Sequence, residues 1–553
     1  MEFPNLTVNG NWESVLNKQP KTKLEEILPN YLCAQRWFGG KARRIRSVNI
    51  EDAVRIPYGP ASADVTFVRV NYLEAGPENY AVPLCVVSGA EGEKVRLESP
   101  SAIVARVTAH GQDGVLVNAM QEQEFCSALL DVIGGGKIFR SGSGGEVRGT
   151  PTRVFGPLAG LEASRLVPSL VRAEQSNSSI LYGSQMILKV FRRLSEGINP
   201  DLEVGAFLTD AGFAHVPPVA GFLEYRRTTG KPITLGILQG FIRCQGDAWS
   251  FTLDVLAGYY DRVAAYAGKL RPQLFPKTSQ WGLEDCDPYP EARELIGTYM
   301  AAVELLGRRT GELHMALASD EKNPDFAPEP FSPSYQRSLY QSMRDLATGT
   351  FQLLAERLPE LPKGVKEEAG KVRTLEAQVL DRFQLVLDRG ITAMRTRVHG
   401  DYHLGQVLYT GEDFVIIDFE GEPARPISER RIKRSPLRDV AGMLRSFHYA
   451  AYGALLDRIA AKAVPAAELA AFEPWANGWY AMVSSAFIKT YLEVAAQARF
   501  LPQGREELIE LLGAYQLEKA IYEMAYELNN RPGWLRIPLR GILQILGNSK
   551  WQG

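Results

Sequence analysis

The first half of the chain is patterned like β-structure, and the second half like long helices. Near the amino terminus, Lys23–Leu32 has helical spacing, and Val65–Tyr72 and Tyr80–Val87 alternate like strands between Gly and Pro clusters. These elements predict a small α+β unit. The stretch from Gly134 to Gly149 is polar and rich in glycine, which predicts a linker or a surface loop.

Residues 164–224 predict a strand, a turn, a strand, a helix and a strand, in that order. Ser179–Tyr182 and Gln185–Phe191 are short apolar runs with β-branched residues, and Pro200–Ala211 is helical in pattern. Beyond Gly246 the spacing is that of long helices. These helices are expected at 250–270, 289–317, 335–358, 365–387 and 437–457, and again after 472. Residues 397–418 differ, because two apolar runs flank a Thr-Gly turn as in a β-hairpin.

Composition narrows the possible classes of protein. A chain of 553 residues exceeds the usual size of one hydrophobic core, so two or three structural units are expected. The formal net charge of −2 argues against general binding to nucleic acid or to an acidic membrane surface. The five cysteines are scattered without any C-x-x-C spacing, which argues against a disulfide framework or a zinc cluster. With no apolar leader and no membrane-spanning run, the chain is expected in the reducing cytoplasm.

A group of carboxylates marks the candidate chemistry. Asp401 lies in the loop before the apolar run Val407–Tyr409, and Asp418, seventeen positions later, ends the run Phe414–Ile417. If these runs pair around the Thr-Gly turn, Asp401, Gln406, Asp418 and Glu420 meet at one end of the hairpin. Phosphoryl transfer requires such a cluster, in which one carboxylate takes the proton of the attacking hydroxyl and others hold Mg²⁺. A single loop aspartate is more often a turn or cap residue, but this run holds many fixed positions.

The run from His399 to Gln406, H-G-D-x-H-x-x-Q, resembles the catalytic loop of kinase-like phosphotransferases, including aminoglycoside and choline-type kinases. The resemblance implies an α+β, bilobal fold like that of eukaryotic protein kinases, with a mostly helical carboxyl-terminal lobe. It implies that Asp401 is the catalytic base, that Gln406 replaces the usual metal-binding Asn, and that Asp418 chelates the metal. Glu420 stands where the family has glycine, and a metal role and an acceptor role are both open for it.

The same resemblance requires a lysine on a strand and an acidic residue on the next helix. Lys189 lies in the predicted strand Gln185–Phe191, and Glu203 follows Pro200 on the predicted helix. A strand lysine is usually a solvated charge, but the order of motifs along the chain favours nucleotide binding. The turn before that strand lacks glycine, and its hydroxyl and N–H groups are expected to cradle phosphates. The residues are Ser176, Asn177, Ser178 and Ser179. Gln239, in the connector 238–244, is expected beside the adenine.

Further stretches resemble bacterial maltokinases. They are QRWFGGK (35–41), QSNSSILYG (175–183), LGRRTGELH (306–314), VHGDYHLGQVL (398–408) and the long run 417–451. This resemblance implies phosphorylation of maltose at its anomeric hydroxyl with ATP and Mg²⁺, in glycogen-type glucan synthesis beside trehalose synthase. It also implies an amino-terminal cap. The resulting division is a cap at 1–130, the remaining nucleotide lobe at 131–245, and a helical lobe at 246–553.

Sugar binding requires aromatic faces and polar partners. The expected acceptor contacts are His403, Glu420, Lys489 and Tyr491, although His403 alone favours bracing of the loop. Asp439 resembles the buried helix aspartate that supports the catalytic loop, and His314 is expected to be structural. Two alternatives stay open. One is a related kinase acting on glucosamine or an aminoglycoside, and the other is a non-catalytic partner of trehalose synthase, which the intact Lys189 and Asp401 disfavour.

Overall fold

A computed structural model describes residues 3–10, 12–109, 111–160, 166–171, 177–265, 290–388, 390–423, 425–461 and 469–547. The chain divides into two compact units. Unit 1 comprises Met1–Thr209, Pro217–Arg243 and Arg425–Glu429. Unit 2 comprises Asp210–Val216, Cys244–Ala424 and Arg430–Gly553. The division after Arg243 lies close to the boundary predicted at 245/246.

Unit 1 is built mainly of strands. These are β1 (Asn5–Val8), β2 (Ile45–Tyr58), β3 (Ala61–Tyr72), β4 (Glu78–Ser88), β5 (Ile103–Ala109), β6 (Gln112–Asn118), β7 (Ile138–Arg140), β8 (Glu146–Pro151), β9 (Pro168–Leu170), β10 (Asn177–Tyr182), β11 (Met186–Phe191), β12 (Arg193–Leu194), β13 (Val219–Arg226) and β14 (Ile233–Gly240). Its helices are α1 (Lys18–Ala34), α2 (Gly89–Glu98), α3 (Gln123–Gly134), α4 (Phe155–Ala159) and α5 (Pro200–Asp210).

The first sheet has the order β1-β5-β6-β4-β3-β2, with β12 on β4. Both of its faces are covered. Along β3, Val65 and Phe67 belong to one apolar core, while Val68 and Val70 belong to another that includes buried residues of α1. Residues 65–68 of β3 are all buried, and because successive side chains of a strand point to opposite faces, they pack on both sides of the sheet. The predicted amino-terminal α+β unit is confirmed.

The second sheet has the order β7-β8-β13-β14-β11-β10-β9. The strand, turn, strand, helix and strand predicted for 164–224 are confirmed as β10, β11, α5 and β13. The linker predicted at 134–149 is wrong, because β7 and β8 form an antiparallel hairpin there. β8 also pairs with β13, which is distant in the chain. The local composition does not predict this pairing, because it depends on a strand elsewhere in the sequence.

The carboxyl-terminal half is mainly helical, as predicted. Its helices are α6 (Ala248–Ala265), α7 (Pro290–Ile296), α8 (Tyr299–Leu317), α9 (Pro333–Arg357), α10 (Lys363–Arg373), α11 (Glu376–Asp388), α12 (Ile427–Arg430), α13 (Leu437–Ala460), α14 (Leu469–Val494), α15 (Arg505–Asn530) and α16 (Arg536–Gly547). Its short strands are β15 (Gly246–Asp247), β16 (Glu329–Pro330), β17 (Met394–Arg395), β18 (Val407–Tyr409) and β19 (Phe414–Ile416).

Two of the predicted long helices are broken. The segment 289–317 divides into α7 and α8 at Gly297, whose φ of +75° ends a helix readily because glycine lacks a Cβ atom. The segment 365–387 divides into α10 and α11 after Arg373. The end of the predicted helix 250–270 lies outside the described residues. Within the ranges given above, no helix is both long and apolar enough to cross a lipid bilayer.

The predicted hairpin around the Thr-Gly turn is confirmed. β18 and β19 pair antiparallel, with Tyr409 opposite Phe414, and β15 adds a third strand to β18. The turn is closed by Thr410, whose hydroxyl accepts a hydrogen bond from the backbone N–H of Asp413 at 2.9 Å. The loop before β18 and the residues after β19 therefore lie at one end of the hairpin, inside unit 2.

Candidate active site

The loop that carries Asp401 is held by Asp439, at the start of α13. Asp439 is buried, and its carboxylate accepts hydrogen bonds from the backbone N–H groups of His399 at 2.7 Å and Gly400 at 3.0 Å. Burial alone would raise the pKa of Asp439, but its hydrogen bond from His314, nearby imidazoles and the loop N–H outweigh burial and lower it. The predicted role of Asp439 in supporting this loop is confirmed.

A second layer of hydrogen bonds orients Asp439. His314 Nε2 lies 3.2 Å from the Asp439 carboxylate, and His314 Nδ1 lies 3.0 Å from the hydroxyl of Tyr491. Because a carboxylate only accepts, Nε2 carries the proton and Nδ1 accepts from the tyrosine. His314 is structural, as expected. Tyr491 is fully buried and its hydroxyl is used here, so the predicted sugar contact at Tyr491 is corrected to a supporting role.

Lys519 is the partner of Asp401, and the sequence analysis missed it. Its ammonium group, on α15, lies 3.2 Å from Oδ1 of Asp401. Burial alone would lower the pKa of Lys519, but Asp401, with Glu523 and Glu422 nearby, outweighs burial and raises it. Lys519 is therefore a permanent cation beside a partly exposed carboxylate.

Two exposed tyrosines continue the same face of α15 away from Asp401. Tyr522 is 37% exposed and Tyr526 is 47% exposed, and the ammonium group of Lys519 lies 5.1 Å from the centre of the Tyr522 ring. The ring of Tyr526 has the guanidinium of Arg531 5.4 Å from its centre. Exposed aromatic rings beside charged hydrogen-bonding groups are suited to sugar rings. The Lys-x-x-Tyr-x-x-x-Tyr spacing places all three side chains on one face of a helix. This spacing is the sequence pattern from which the surface could have been predicted.

Gln406, Asp418 and Glu420 are brought to the end of the hairpin. The amide N–H of Gln406 donates to Oδ2 of Asp418 at 2.9 Å, which leaves the amide oxygen of Gln406 for another partner. Asp418 and Glu420 offer carboxylate oxygens within 4.8 Å of each other. Arg430 approaches Glu420, with Nη1 3.2 Å from the backbone carbonyl. An all-oxygen set of two carboxylates and one amide fits the ligand preference of Mg²⁺.

The backbone at Asp418 is unusual. Its φ of +68° lies in the left-handed region, which non-glycine residues rarely adopt. Such conformations cost roughly 1–3 kcal/mol and persist where the surrounding structure requires them. At this position the conformation turns the carboxylate towards Gln406.

His403 braces the loop. Its Nδ1 accepts a hydrogen bond from the backbone N–H of Gly405 at 3.1 Å, so the neutral ring carries its proton on Nε2. Burial, with a smaller contribution from Lys519, outweighs the carboxylate of Asp401 and lowers the pKa of His403. The imidazole is therefore neutral near pH 7, and Nε2–H is its available donor. The predicted acceptor contact of His403 stays a prediction.

The nucleotide-side lysine lies in unit 1. Nζ of Lys189, on β11, is 3.0 Å from Oδ2 of Asp201, a buried residue in the first turn of α5. The sequence pattern predicts Glu203 as the acid of this pair, and that pairing stays a prediction. Asp201, two positions earlier on α5, is a partner of Lys189 that the sequence pattern did not predict.

The predicted phosphate turn is partly strand. Asn177, Ser178 and Ser179 belong to β10, and Ser179 is directly opposite Lys189 in the β10–β11 ladder. The hydroxyl of Ser178 accepts a hydrogen bond from Nε of Arg192 at 2.9 Å. Ser176 lies outside the described residues. Gln239 is half-buried on β14 rather than in a loop, and its adenine contact stays a prediction.

Lys489 is exposed on α14, between the buried residues Ile488 and Thr490. The structure therefore does not bring Lys489 and Tyr491 together as a sugar contact. They are two positions apart on one helix, so one side chain faces solvent while the other enters the core.

Residues 31–121 match the maltokinase N-terminal cap domain. Solved structures of glucosamine kinase share the fold. Crystal form B of that enzyme gives a TM-score of 0.60 at 17% identity, over 93% of this chain and 97% of that chain. The complex with glucosamine, ADP and inorganic phosphate gives a TM-score of 0.57 at 17% identity, over 90% and 94% of the two chains. This chain therefore has the fold of these kinases and carries, at 31–121, a segment that matches the maltokinase cap. The predicted bilobal, α+β kinase-like fold is thereby confirmed.

Two sequence relatives of this chain are also sugar kinases by name. The glucosamine kinase of Streptacidiphilus jiangxiensis is 21% identical over 378 residues, which cover 68% of this chain and 72% of that protein. The glucosamine kinase of Mycolicibacterium smegmatis is 24% identical over 380 residues, which cover 68% and 79%. The family model that matches the cap is therefore named for maltose, whereas the similar enzymes are named for glucosamine.

Proposed function

We propose that this chain is a kinase that transfers the terminal phosphoryl group of ATP to a hydroxyl group of a sugar, with maltose as the first acceptor to test. One observation carries the proposal: Asp401, in a loop of the phosphotransferase type, lies beside Lys519 at the start of the exposed aromatic face of α15. A carboxylate at the edge of a sugar-binding surface is the arrangement that activates a sugar hydroxyl.

In the proposed reaction Asp401 accepts the proton of the attacking hydroxyl. The bond from that oxygen to the γ-phosphorus forms as the bond from the γ-phosphorus to the bridging oxygen breaks, and ADP leaves. A positioned general base contributes about 10²- to 10⁴-fold in rate. Lys519 holds the carboxylate of Asp401 in place and donates to acceptor oxygens. Tyr522 and Tyr526 contact the rings of the sugar. Asp439 keeps the backbone of His399 and Gly400 fixed, so that Asp401 does not reorient during the reaction.

Unit 1 supplies the nucleotide contacts in this proposal. Lys189, oriented by Asp201, pairs with phosphate oxygens, and Asn177 and the backbone of β10 add hydrogen bonds. Gln239 stays the proposed neighbour of the adenine. In unit 2, Gln406, Asp418 and Glu420 would hold Mg²⁺, which when bound neutralises phosphate charge.

The acceptor is the finer part of the proposal. Maltose is supported by the cap match at 31–121, by the motifs shared with maltokinases, and by the length of the aromatic face. Tyr522 and Tyr526 are one helical turn apart, which suits a substrate longer than one ring. Glucosamine is the second candidate, because the sequence relatives and the similar structures are named for it.

Phosphorus NMR of the product tests the proposal. The protein is incubated with ATP, Mg²⁺ and either maltose or glucosamine, and Asp401→Asn serves as the inactive control. The expected result is an anomeric phosphate from maltose only. A faster reaction with glucosamine than with maltose would make glucosamine the acceptor in this proposal. Failure of both sugars, with ATP bound normally, would count against a sugar kinase.

A complex with trehalose synthase is part of the same proposal and rests on the resemblance to maltokinases alone. Analytical ultracentrifugation of the two purified proteins is the direct measurement. Comigration at micromolar concentration is expected, and independent sedimentation would remove this partner. The cytoplasm, where ATP and free thiols occur together, is the expected location.

A further inference from the structure

Unit 1 contains a cavity of about 650 Å³, which the reaction proposed above uses only at its edge on β10, at Asn177 and Ser178. It lies between the end of α1, the segment before β5, and strands β9 and β10, so the cap and the second sheet both line it. Cavities of about 300–1,000 Å³ are the size that binds small molecules.

Arg192, immediately after β11, lines this cavity and is only 2% exposed. Its Nε donates to Ser178, and its guanidinium lies 5.1 Å from the ring centre of Trp37. Nη1 is buried without a hydrogen-bond partner, and within the described part of the chain Arg192 forms no ion pair. Burial lowers the pKa of Arg192 to about 10.

A buried guanidinium without a carboxylate is rare, because removing a cation from water is costly unless an anion compensates it. A buried, unsatisfied guanidinium donor that lines a cavity indicates a missing acceptor, and its positive charge selects an anionic one.

The rest of the wall indicates what the anion is attached to. Beside Arg192 the lining offers the indole of Trp37 and the neutral polar side chains of Gln121, Gln123 and Ser169. Its other charged residues, Arg36 and Glu98, are exposed to solvent. Amide and hydroxyl groups pair with sugar hydroxyls, an indole packs against a pyranose face, and a guanidinium pairs with a phosphoryl group. We propose that this cavity is a binding site for a phosphorylated sugar, with the phosphoryl group on Arg192.

The site is connected to the nucleotide-side strands. Arg192 holds Ser178 of β10, and Ser178 is opposite Val190 in the ladder, one position from the pair Ser179 and Lys189. A ligand that draws Arg192 towards the cavity therefore acts on the strand pair that positions Lys189. Occupancy is expected to change the affinity for ADP, which makes the cavity a regulatory site.

Isothermal titration of the full chain, at constant ionic strength, tests the proposal with glucose 1-phosphate, glucose 6-phosphate, glucose and inorganic phosphate. Saturable binding of at least one sugar phosphate, with at least tenfold weaker binding of glucose and phosphate, is expected. Trp37 is the optical reporter, and Trp37→Phe should remove the fluorescence change. If inorganic phosphate binds as tightly as the sugar phosphates, the claim that the ligand contains a sugar is overturned. If no sugar phosphate saturates the protein by about 10 mM, the claim that the cavity is a binding site is overturned.

Variants separate this cavity from the acceptor face, which is the surface of α15 formed by Lys519, Tyr522 and Tyr526. Arg192→Gln should weaken binding at least tenfold, whereas Lys519→Met, on the acceptor face, should leave it unchanged. If Arg192→Gln does not fold, Ser101→Phe fills the cavity from an exposed position and should have the same effect. Unchanged binding in the folded cavity variant, or loss in Lys519→Met, would refute the assignment. Because no turnover is measured, the outcome is independent of the proposed kinase activity.

Discussion

Nζ of Lys519 lies 3.2 Å from Oδ1 of Asp401, although the two residues are 118 positions apart in the chain. This pair joins α15 to the loop of the phosphotransferase type and puts a cation beside the proposed base. Replacing Lys519 by Met should lower kcat about 10- to 100-fold, because the carboxylate loses its orientation and the acceptor loses a donor. Steady-state kinetics with the acceptor is the measurement. Lys519→Arg is the charge-retaining control, and wild-type kcat in Lys519→Met would contradict the role.

Asp401→Asn should lower kcat at least 100-fold while ADP still binds, because the amide does not take the proton of the acceptor. Titration calorimetry with ADP and a coupled ATPase assay measure the two quantities. The matched control is Asp381→Asn, which makes the same change at an exposed position on α11. Retention of more than about a tenth of wild-type activity would remove Asp401 from the reaction.

Tyr526→Ala should raise KM for the sugar about 2- to 10-fold with kcat unchanged, since an aromatic contact is worth roughly 0.5–1.5 kcal/mol. A rise in KM alone is the mark of an interaction made equally in the ground state and the transition state. Tyr526→Phe keeps the ring and should retain most of the affinity. An unchanged KM in the alanine variant would exclude Tyr526 from the acceptor face.

Gly442 on α13 permits the close approach of the loop that carries Asp401. A Cβ atom there would lie 2.6 Å from the backbone carbonyl oxygen of Tyr402. Gly442→Ala should therefore displace the loop, with a fall in kcat and a loss of stability of about 1–3 kcal/mol measured by urea unfolding. Gly349→Ala on α9 is the control, because nothing lies within 4 Å of its Cβ position. Equal effects of the two substitutions would show that the contact with Tyr402 is unimportant.

Stability should fall in mild acid. Burial, with Arg445 and Arg540 adding to it, holds the pKa of His448 well below its usual value, and burial also lowers that of His403. Between the folded and unfolded pKa values the unfolded chain binds more protons. The free energy of unfolding is therefore highest above about pH 6.5. It decreases as the pH falls below that value, by up to about 1.4 kcal/mol per pH unit for each histidine. Urea unfolding at pH 7.5, 6.5 and 5.5 is the test. His448→Phe should reduce the slope, and an unaltered slope would contradict the assignment to His448.

The sequence by itself determined the parts of the site that are contiguous. The hairpin, the loop from His399 to Gln406 and the carboxylates after β19 follow from alternation and spacing, because one turn fixes how two adjacent strands pair. The support of that loop by Asp439 was also predicted, from a motif on the next long helix. These features depend on short runs of residues whose geometry the local backbone decides.

Only the tertiary structure decided the rest. Helix packing selects Lys519 as the partner of Asp401, buries Tyr491 and leaves Lys489 in solvent, since periodicity shows which residues share a face but not what that face meets. The packing of α5 brings Asp201 to Lys189, a pair that the sequence pattern did not predict. Pairing of β8 with the distant β13 makes a hairpin of a glycine-rich stretch. In each case the deciding contact joins residues far apart in the chain, and no local pattern encodes it.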